Sequence, residues 1–333
     1  MPGNGEDRSQ TTLAEFGELW FNMQQADLAP STLASYGAVW RAHVLPVLGE
    51  LSLASLVAEP LLVVRFKAGL SAPERGEPVI RRTLVVLGAV LQRAIEWHFV
   101  AGANPVRAVR IPSGRRRSFV EPFAPAIEVL RAACPDPRDA TLISVLAYAG
   151  LRPGEALALR WSAVRGDLLL VERAVSMGQE RATKTGRIRV VPMASALAAD
   201  LSAWRRMFEA PESSLVFPGR GGEAWSDSAL RNWRRRRFYA ARDEAVAASA
   251  TAASSALVRA TPYTLRHSAA SLWLRDPVMS PAEVAEAMGH SVQTLLQTYA
   301  HVVAGLRGET GRPAAEEIAA ARGEGGEHAM HMS

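Results

Sequence analysis

Apolar residues recur at helical spacing through the first hundred positions. Leu13, Phe16, Leu19, Trp20 and Met23 fall three and four apart behind Thr11 and Thr12, either of which can cap a helix start. Pro30-Ser31-Thr32 opens a second helix, with Leu33, Tyr36, Val39, Trp40 and Val44 on one face and stop signals at Pro46 and Gly49. A third begins at Glu59-Pro60 and ends near Gly69. A fourth runs from about Pro78 to Val100, with Leu84, Leu87, Leu91, Ile95 and Phe99 inward. No two-residue alternation interrupts them, so the stretch reads as a small helical domain.

The pattern then breaks. Residues 101–121 mix glycine, proline and the basic run Arg115-Arg116-Arg117, a composition that suits an exposed linker. From Phe123 the signals are mixed. Pro125–Ala133, Ala140–Ala149 and Pro153–Leu159 read as helices, the last with proline in its first turn. Trp161–Val175 and Gly186–Val191 carry β-branched residues in short runs bounded by glycine, which predicts a small antiparallel sheet with hairpins. Helical spacing returns in Ala194–Phe208, Ser226 to about Val258, Thr261–Leu274, Pro281–Met288 and Val292–Val303. A last candidate helix, Pro313–Arg322, is expected to be capped by Gly323.

These elements divide into a disordered start (1–10), a helical domain (11–105), a basic linker (106–122), a mixed α+β domain (123–305) and a tail (306–333). The fold class is mainly α with a small antiparallel β-sheet. A length of 333 residues fits two domains, and 48% hydrophobic against 21% charged residues suffices for packed cores. No apolar run approaches the ~18–20 residues that span a bilayer, so no membrane partner is expected. The first ten residues hold no apolar stretch of the kind a secretory leader needs, which makes the cytoplasm the simplest expectation.

Composition also narrows the chemistry. Cys134 is the single cysteine, which excludes a disulfide framework and a thiolate metal cluster. No phosphate-cradling glycine loop of the nucleotide-binding kinds occurs, so no cofactor is expected. His328 and His331 lie in the tail and read as surface residues rather than metal ligands. With no cluster of carboxylates to hold paired metals, phosphate chemistry here would have to run without one. The net charge of +5 is modest, but 36 of the 38 cationic residues are arginine, which makes Lys67 and Lys184 conspicuous.

One dispersed set of residues carries chemistry. Gly150-Leu151-Arg152-Pro153-Gly154-Glu155 places Arg152 at a helix start with Glu155 three residues on. Thr183-Lys184-Thr185-Gly186 puts Lys184 in a hairpin-like turn. Tyr263 and Arg266 stand one helical turn apart, His290 follows a helix end at Gly289, and Tyr299 lies nine residues further. Guanidiniums suit a phosphodiester because they grip two oxygens at once and keep their protons. Lysine near phosphate can act as an acid where arginine cannot.

In this order and spacing, the segments resemble the tyrosine recombinase (phage integrase) family over roughly Thr11–Val303. The resemblance implies a helical core-binding (SAM-like) DNA-binding domain, a linker and a tyrosine-recombinase catalytic domain forming a clamp around duplex DNA. It implies a site-specific recombinase that cleaves and rejoins strands through a 3′-phosphotyrosine, as a homo-tetramer in the synaptic complex and a monomer when free. Arg152 and Arg266 would clamp the phosphate, Lys184 would protonate the leaving 5′ oxygen, and His290 would donate to a non-bridging oxygen. Tyr299 would be the nucleophile and Glu155 a buttress.

Tyr263 stands where the family usually has histidine, and a phenol is a poor proton acceptor near pH 7. This leaves the activation of Tyr299 unassigned. His267 points about 100° around the helix from Arg266 and reads as structural. Arg231, Arg234, Arg235, Arg236 and Arg237 form the densest basic cluster and, with Arg115, Arg116 and Arg117, are candidate DNA contacts. Arg81-Arg82 is a weaker candidate. Two other functions share the motif set: a type IB topoisomerase-like DNA-relaxing enzyme, and a catalytically impaired DNA-binding protein on the same fold. The Pro313–Arg322 segment is a candidate for docking, onto its own chain or onto a neighbouring subunit.

Overall fold

The structure, a computed structural model, describes residues 10–71, 76–112, 123–183, 186–207, 211–248, 251–300, 302 and 312–330, with side chains as far as 323 in the last segment. The chain divides between Arg117 and Ser118 into two compact units.

The N-terminal unit is all helix, as its spacing predicts. In α1 (Leu13–Met23) Thr12 accepts from the Glu15 amide while the Glu15 carboxylate accepts from the Thr12 amide, at 3.2 and 2.9 Å. Gly17 on this helix lies against Trp40, where an added Cβ would sit 2.3 Å from the indole. The second helix departs from expectation. It does not stop at Pro46: α2 (Pro30–Val39) passes through a π turn (Trp40–Val44) into α3 (Leu45–Leu48). The Leu45 amide reaches back five residues to the Trp40 carbonyl. This widened turn ends where Pro46 has no amide to offer, and it relieves the proline ring's clash with the preceding turn.

A short helix that the apolar spacing did not mark, α4 (Leu53–Ala58), is capped by Ser52 and followed by α5 (Pro60–Leu70) and α6 (Glu77–Glu96). The stretch expected to be an exposed linker begins as core. Pro105–Ala108 forms a 3₁₀ turn started by Asn104, and Val106 and Val109 are buried with the α6 residues Leu84, Leu87 and Leu91. Arg115, Arg116 and Arg117 lie outside the described residues.

The C-terminal unit is built around two helices. After α7 (Ala124–Ala132) come α8 (Pro137–Tyr148) and α9 (Pro153–Leu157). The strands follow: β1 (Val164–Arg165), β2 (Leu168–Val171), β3 (Arg173–Ser176), β4 (Gln179–Ala182) and β5 (Arg189–Pro192). They form two antiparallel sheets, β1-β2-β5 and the β3-β4 hairpin. The segment holding Lys184 therefore links two sheets rather than closing one hairpin, because β4 pairs with β3 and β5 with β2. Lys184 itself lies outside the described residues.

The remaining helices are α10 (Ser195–Met207), α11 (Asp227–Trp233), α12 (Tyr239–Ala248), α13 (Ala252–Leu257), α14 (Pro262–Arg275), α15 (Pro281–Met288), α16 (Val292–Thr298) and α17 (Ala314–Met330). Helices α8 and α14 are buried on nearly every face and pack on each other. Between α11 and α12 a π turn (Arg234–Phe238) brings Trp233 and Phe238, five residues apart, into the same core with ring centroids 5.7 Å apart. All five arginines of the run 231–237 are turned outward in consequence. Among the described residues no helix is long and apolar enough to cross a membrane.

The tail helix corrects the sequence reading once. It continues through Gly323, which is not among the glycines with positive φ and so does not cap it. It also docks on its own chain, against α7, α10 and α14, with Ala314, Ile318 and Ala321 buried. Arg322 donates to Asp200 at 2.6 Å and to the Ala196 carbonyl at 2.9 Å, and reaches Glu128 at 3.4 Å. Arg131 binds the same two carboxylates, Ser144 donates to Asp200, and the buried Tyr148 hydroxyl donates to Glu128.

Arg322→Ala should leave two carboxylates sharing one guanidinium. With the Arg322 side chain 23% exposed, the loss falls short of a fully buried pair. About 2 kcal/mol is expected, or a fall of ~4–8 °C in Tm by scanning fluorimetry. An unchanged Tm would mean that the network does not hold the tail.

Candidate active site

Four elements of the C-terminal unit converge on one carboxylate. Gly150, at φ +61°, turns the chain out of α8; a Cβ there would lie 2.7 Å from Met288 Sδ. The turn delivers Arg152 to the start of α9 and Glu155 to its first turn. Glu155 Oε1 accepts from Arg152 Nη1 at 2.8 Å and from Arg189 Nη1 at 3.0 Å. Its Oε2 accepts from the Arg152 amide at 2.8 Å and Arg189 Nη2 at 2.6 Å, with Arg266 Nη1 at 3.9 Å. Burial pushes the Glu155 pKa up, but the hydrogen bonds and charge of Arg189, then Arg152, outweigh it and hold the group at about 2.

Arg266, on the second turn of α14, is 4% exposed. Its Nη1 donates to the Gly150 carbonyl and its Nη2 to the Met288 carbonyl, and Nη2 also lies 3.0 Å from His290 Nε2. Burial, followed by the Arg152 charge, lowers its pKa to about 10, so it stays a cation at neutral pH. Because a guanidinium only donates, His290 Nε2 is the acceptor and its proton sits on Nδ1. That Nδ1–H is buried and has no acceptor among the described residues. Burial and the charges of Arg266 and Arg152 push His290 down to about 4, which keeps the ring neutral. Arg152 also donates to the Gly289 carbonyl at 3.2 Å, and its side chain is the most open of the three arginines, at 28%.

The cluster thus holds three guanidiniums against one carboxylate. The surplus is two positive charges, and an unengaged buried N–H points to an acceptor that the described residues do not supply. Such a place suits an anion with oxygens at several angles.

Tyr299 reaches the cluster from the end of α16. It is fully buried, and its hydroxyl is 2.6 Å from His267 Nδ1. His267, which reads as structural from its helix phase alone, is therefore in contact with the phenol. Tyr263 is 57% exposed on the first turn of α14. Cys134 is no rival nucleophile, because burial and then the Asp139 charge raise its thiol to about 12. Among the described residues no group of three His, Cys, Asp or Glu could hold a metal ion.

The structure brings Arg152, Glu155, Arg266 and His290 together, with Tyr299 joined through His267. Sequence reading missed Arg189. The signal was present: on β5 it shares the inward phase with Val191, and an arginine at a core-facing strand position needs a buried partner. Of the basic run, Arg231, Arg234, Arg235 and Arg236 are exposed, while Arg237 pairs with Asp136 and Asp139 at 2.9 and 3.1 Å.

Comparison with known proteins matches this arrangement to a family. The sequence pattern of the phage integrase family covers residues 125–305, more than half of the chain, and that of the phage integrase N-terminal SAM-like domain covers residues 12–58. The putative defective protein IntQ of Escherichia coli K12 is 27% identical over 56% of this chain and 50% of its own length. Tyrosine recombinase XerC of Xanthomonas axonopodis pv. citri strain 306 is 31% identical over 60% of each chain. The chain therefore spans between half and 60% of the length of these curated relatives. Among solved structures, the Tn1549 transposon integrase in complex with transposon right end DNA shares the fold, with a TM-score of 0.72 at 17% identity over 87% of this chain and 95% of the other.

Proposed function

Because the chain belongs to the phage integrase family, we propose that it is a site-specific DNA recombinase that breaks and rejoins strands through a 3′-phosphotyrosine at Tyr299. The observation that carries this reading is the surplus charge around Glu155 with a phenol buried beside it. A phosphodiester brings one negative charge and gains more in its five-coordinate transition state, so fixed cations there act chiefly where charge develops. Arg152 and Arg266 take the non-bridging oxygens, and the unengaged His290 Nδ1–H supplies a third donor. Glu155, locked by Arg189, holds the two clamp arginines in register. Lys184 protonates the departing 5′ oxygen. Tyr263, exposed at the edge of α14, is a further hydrogen-bond donor toward the backbone.

The phosphotyrosine bond keeps the phosphodiester's free energy, so rejoining needs neither ATP nor a metal. Exchange between two duplexes breaks four strands and needs four nucleophiles, hence a homo-tetramer on DNA assembled from monomers. Arg231, Arg234, Arg235 and Arg236 face solvent and suit backbone phosphates, with Arg115, Arg116 and Arg117 as a basic strap between the SAM-like and catalytic domains. Arg237, tied to two aspartates, is the weakest of that set. The relative IntQ is named as defective, but here Arg152, Lys184, Arg266, His290 and Tyr299 are all present, which favours an active enzyme over an impaired binder. The reaction belongs in the cytoplasm, with double-stranded DNA as partner.

Incubating the full chain with sheared DNA of its own host and then denaturing should leave DNA covalently bound. Mass spectrometry of the digested adduct should place a nucleotide on Tyr299, and sequencing of the attached ends should converge on one site. Attachment at any other residue would overturn the assignment, and ends scattered without a common sequence would favour the topoisomerase-like alternative.

A further inference from the structure

The phenol of Tyr299 holds its proton at neutral pH unless a base removes it, since an ordinary tyrosine ionises near pH ~10. Tyr263 has no basic nitrogen and is more than half exposed. The geometry points instead to His267 as the base: its Nδ1, 2.6 Å from Tyr299 Oη, takes the phenolic proton as the oxygen attacks phosphorus. This inference rests on the recombinase reading.

Three features of the site support the assignment. First, the distance and partners suit a phenol donating to a neutral imidazole, with the ring's own proton on Nε2. Secondly, burial and then the adjacent Arg266 charge lower the His267 pKa, so the acceptor form prevails at neutral pH. Among the described residues, the charged or titratable groups that act on it are Arg266 on its own helix, Tyr299 at the end of α16 and His290 after α15. Thirdly, Arg266, next to His267 on α14, is a fixed cation whose charge favours a phenolate at Tyr299 over the phenol.

The step balances. The proton passes from Oη to Nδ1, the Oη–P bond forms, and the P–O5′ bond breaks as the leaving oxygen takes a proton from Lys184. On rejoining, the 5′ hydroxyl returns its proton to Lys184 as it attacks, the Oη–P bond breaks and His267 returns its proton to the phenolate. Helix phase still holds: His267 projects about 100° around α14 from Arg266, and Tyr299 arrives on that side from another element.

Two measurements on the full chain test this. The first needs no DNA. In ¹⁵N-histidine spectra of the wild type the neutral His267 should carry its proton on Nε2. Across a pH titration, Tyr299→Phe should move the neutral-form Nδ1 resonance, because that nitrogen loses the phenol proton it accepts. An Nδ1 resonance that stays in place, or a wild-type proton on Nδ1, would overturn the proposal.

The second uses a duplex oligonucleotide copied from the host fragment that the wild type captures. Wild-type single-turnover cleavage should rise with pH through a step below pH ~6.5 and then level off. His267→Gln keeps a hydrogen-bond partner for the phenol but cannot take its proton. It should cleave about 10²–10⁴-fold more slowly and lose the step, its rate climbing instead toward the phenol's own ionisation. A rate within threefold of wild type with the same profile would overturn the proposal. If the wild type captures no DNA at all, the recombinase reading falls, and the titration experiment still decides whether His267 holds the Tyr299 proton.

Discussion

Tyr299→Phe should abolish the covalent DNA adduct while leaving the fold almost intact. The two readouts separate because the side chain does two things. Its ring fills a fully buried place beneath α14, and phenylalanine fills the same place. Its hydroxyl makes a 2.6 Å contact to His267 Nδ1, and losing that contact leaves one half-buried nitrogen without its partner, a cost of about 1 kcal/mol. In a unit of this size that is a Tm change of ~2–4 °C. Activity has no such margin, because the bond to phosphorus is assigned to this hydroxyl and Cys134 is a protonated thiol hydrogen-bonded to the Leu130 carbonyl on α7. DNA retention at moderate salt should survive, since the exposed arginines of the 231–237 run are untouched. An adduct that persists in Tyr299→Phe at wild-type yield would remove Tyr299 from its proposed role.

What was legible in the sequence, and what was not, follows from how far each feature reaches along the chain. The start of α1 could be read because a capping box is made by residues three apart. Gly289 marks the end of α15 because only a residue tolerant of φ +62° fits there. The π turns at Trp40–Val44 and Arg234–Phe238 could not be read that way, because a 3.6-residue period puts residues five apart on different faces. At a 3.6-residue period the arginine run would be spread around a helix, whereas the wider turn tucks in Trp233 and Phe238 and turns every arginine out.

The partners of the site residues were less legible than the residues themselves. Arg152, Glu155, Arg266 and His290 stand in recognisable strings, and the structure brings them within hydrogen-bond reach of one another. Arg189 sits in a strand of no marked pattern, and its value appears only when β5 packs beside α15 so that Nε donates to the Ala287 carbonyl at 2.8 Å. The contact of His267 with Tyr299 was hidden for a similar reason. Its direction on α14 was right, but α16 brings Tyr299 to that side, and no local spacing encodes this. The tail is a third case: Glu128, Ser144, Asp200 and Arg322 lie on four helices spread over nearly two hundred positions, and only the packed unit shows that they share protons.

Glu155→Gln should damage both stability and activity, with a pH signature that identifies the cause. The carboxylate is the single anion among Arg152, Arg189 and Arg266, and its side chain is 2% exposed. Glutamine keeps the shape but removes the charge and turns one acceptor oxygen into a donor amide facing guanidinium donors. Breaking a buried pair from one side costs about 3–5 kcal/mol, a Tm loss of roughly 6–20 °C at neutral pH. Strand cleavage should fall by about 10²-fold or more even at temperatures where the variant is folded, because the clamp arginines lose the group that fixes their spacing.

The pH dependence follows from linkage. The carboxyl is held at about 2 in the folded chain against an ordinary value of 4.5. Its contribution to stability, on the order of 3 kcal/mol, is therefore complete above pH 4.5 and drains away as the pH falls toward 2. Thermal unfolding of wild type and variant at pH 7, 5 and 3 should show a constant gap between the first two and a narrower one at the third. A gap that stays the same down to pH 3 would mean that Glu155 acts by packing alone, and the three arginines would then have to be held apart by something other than its charge.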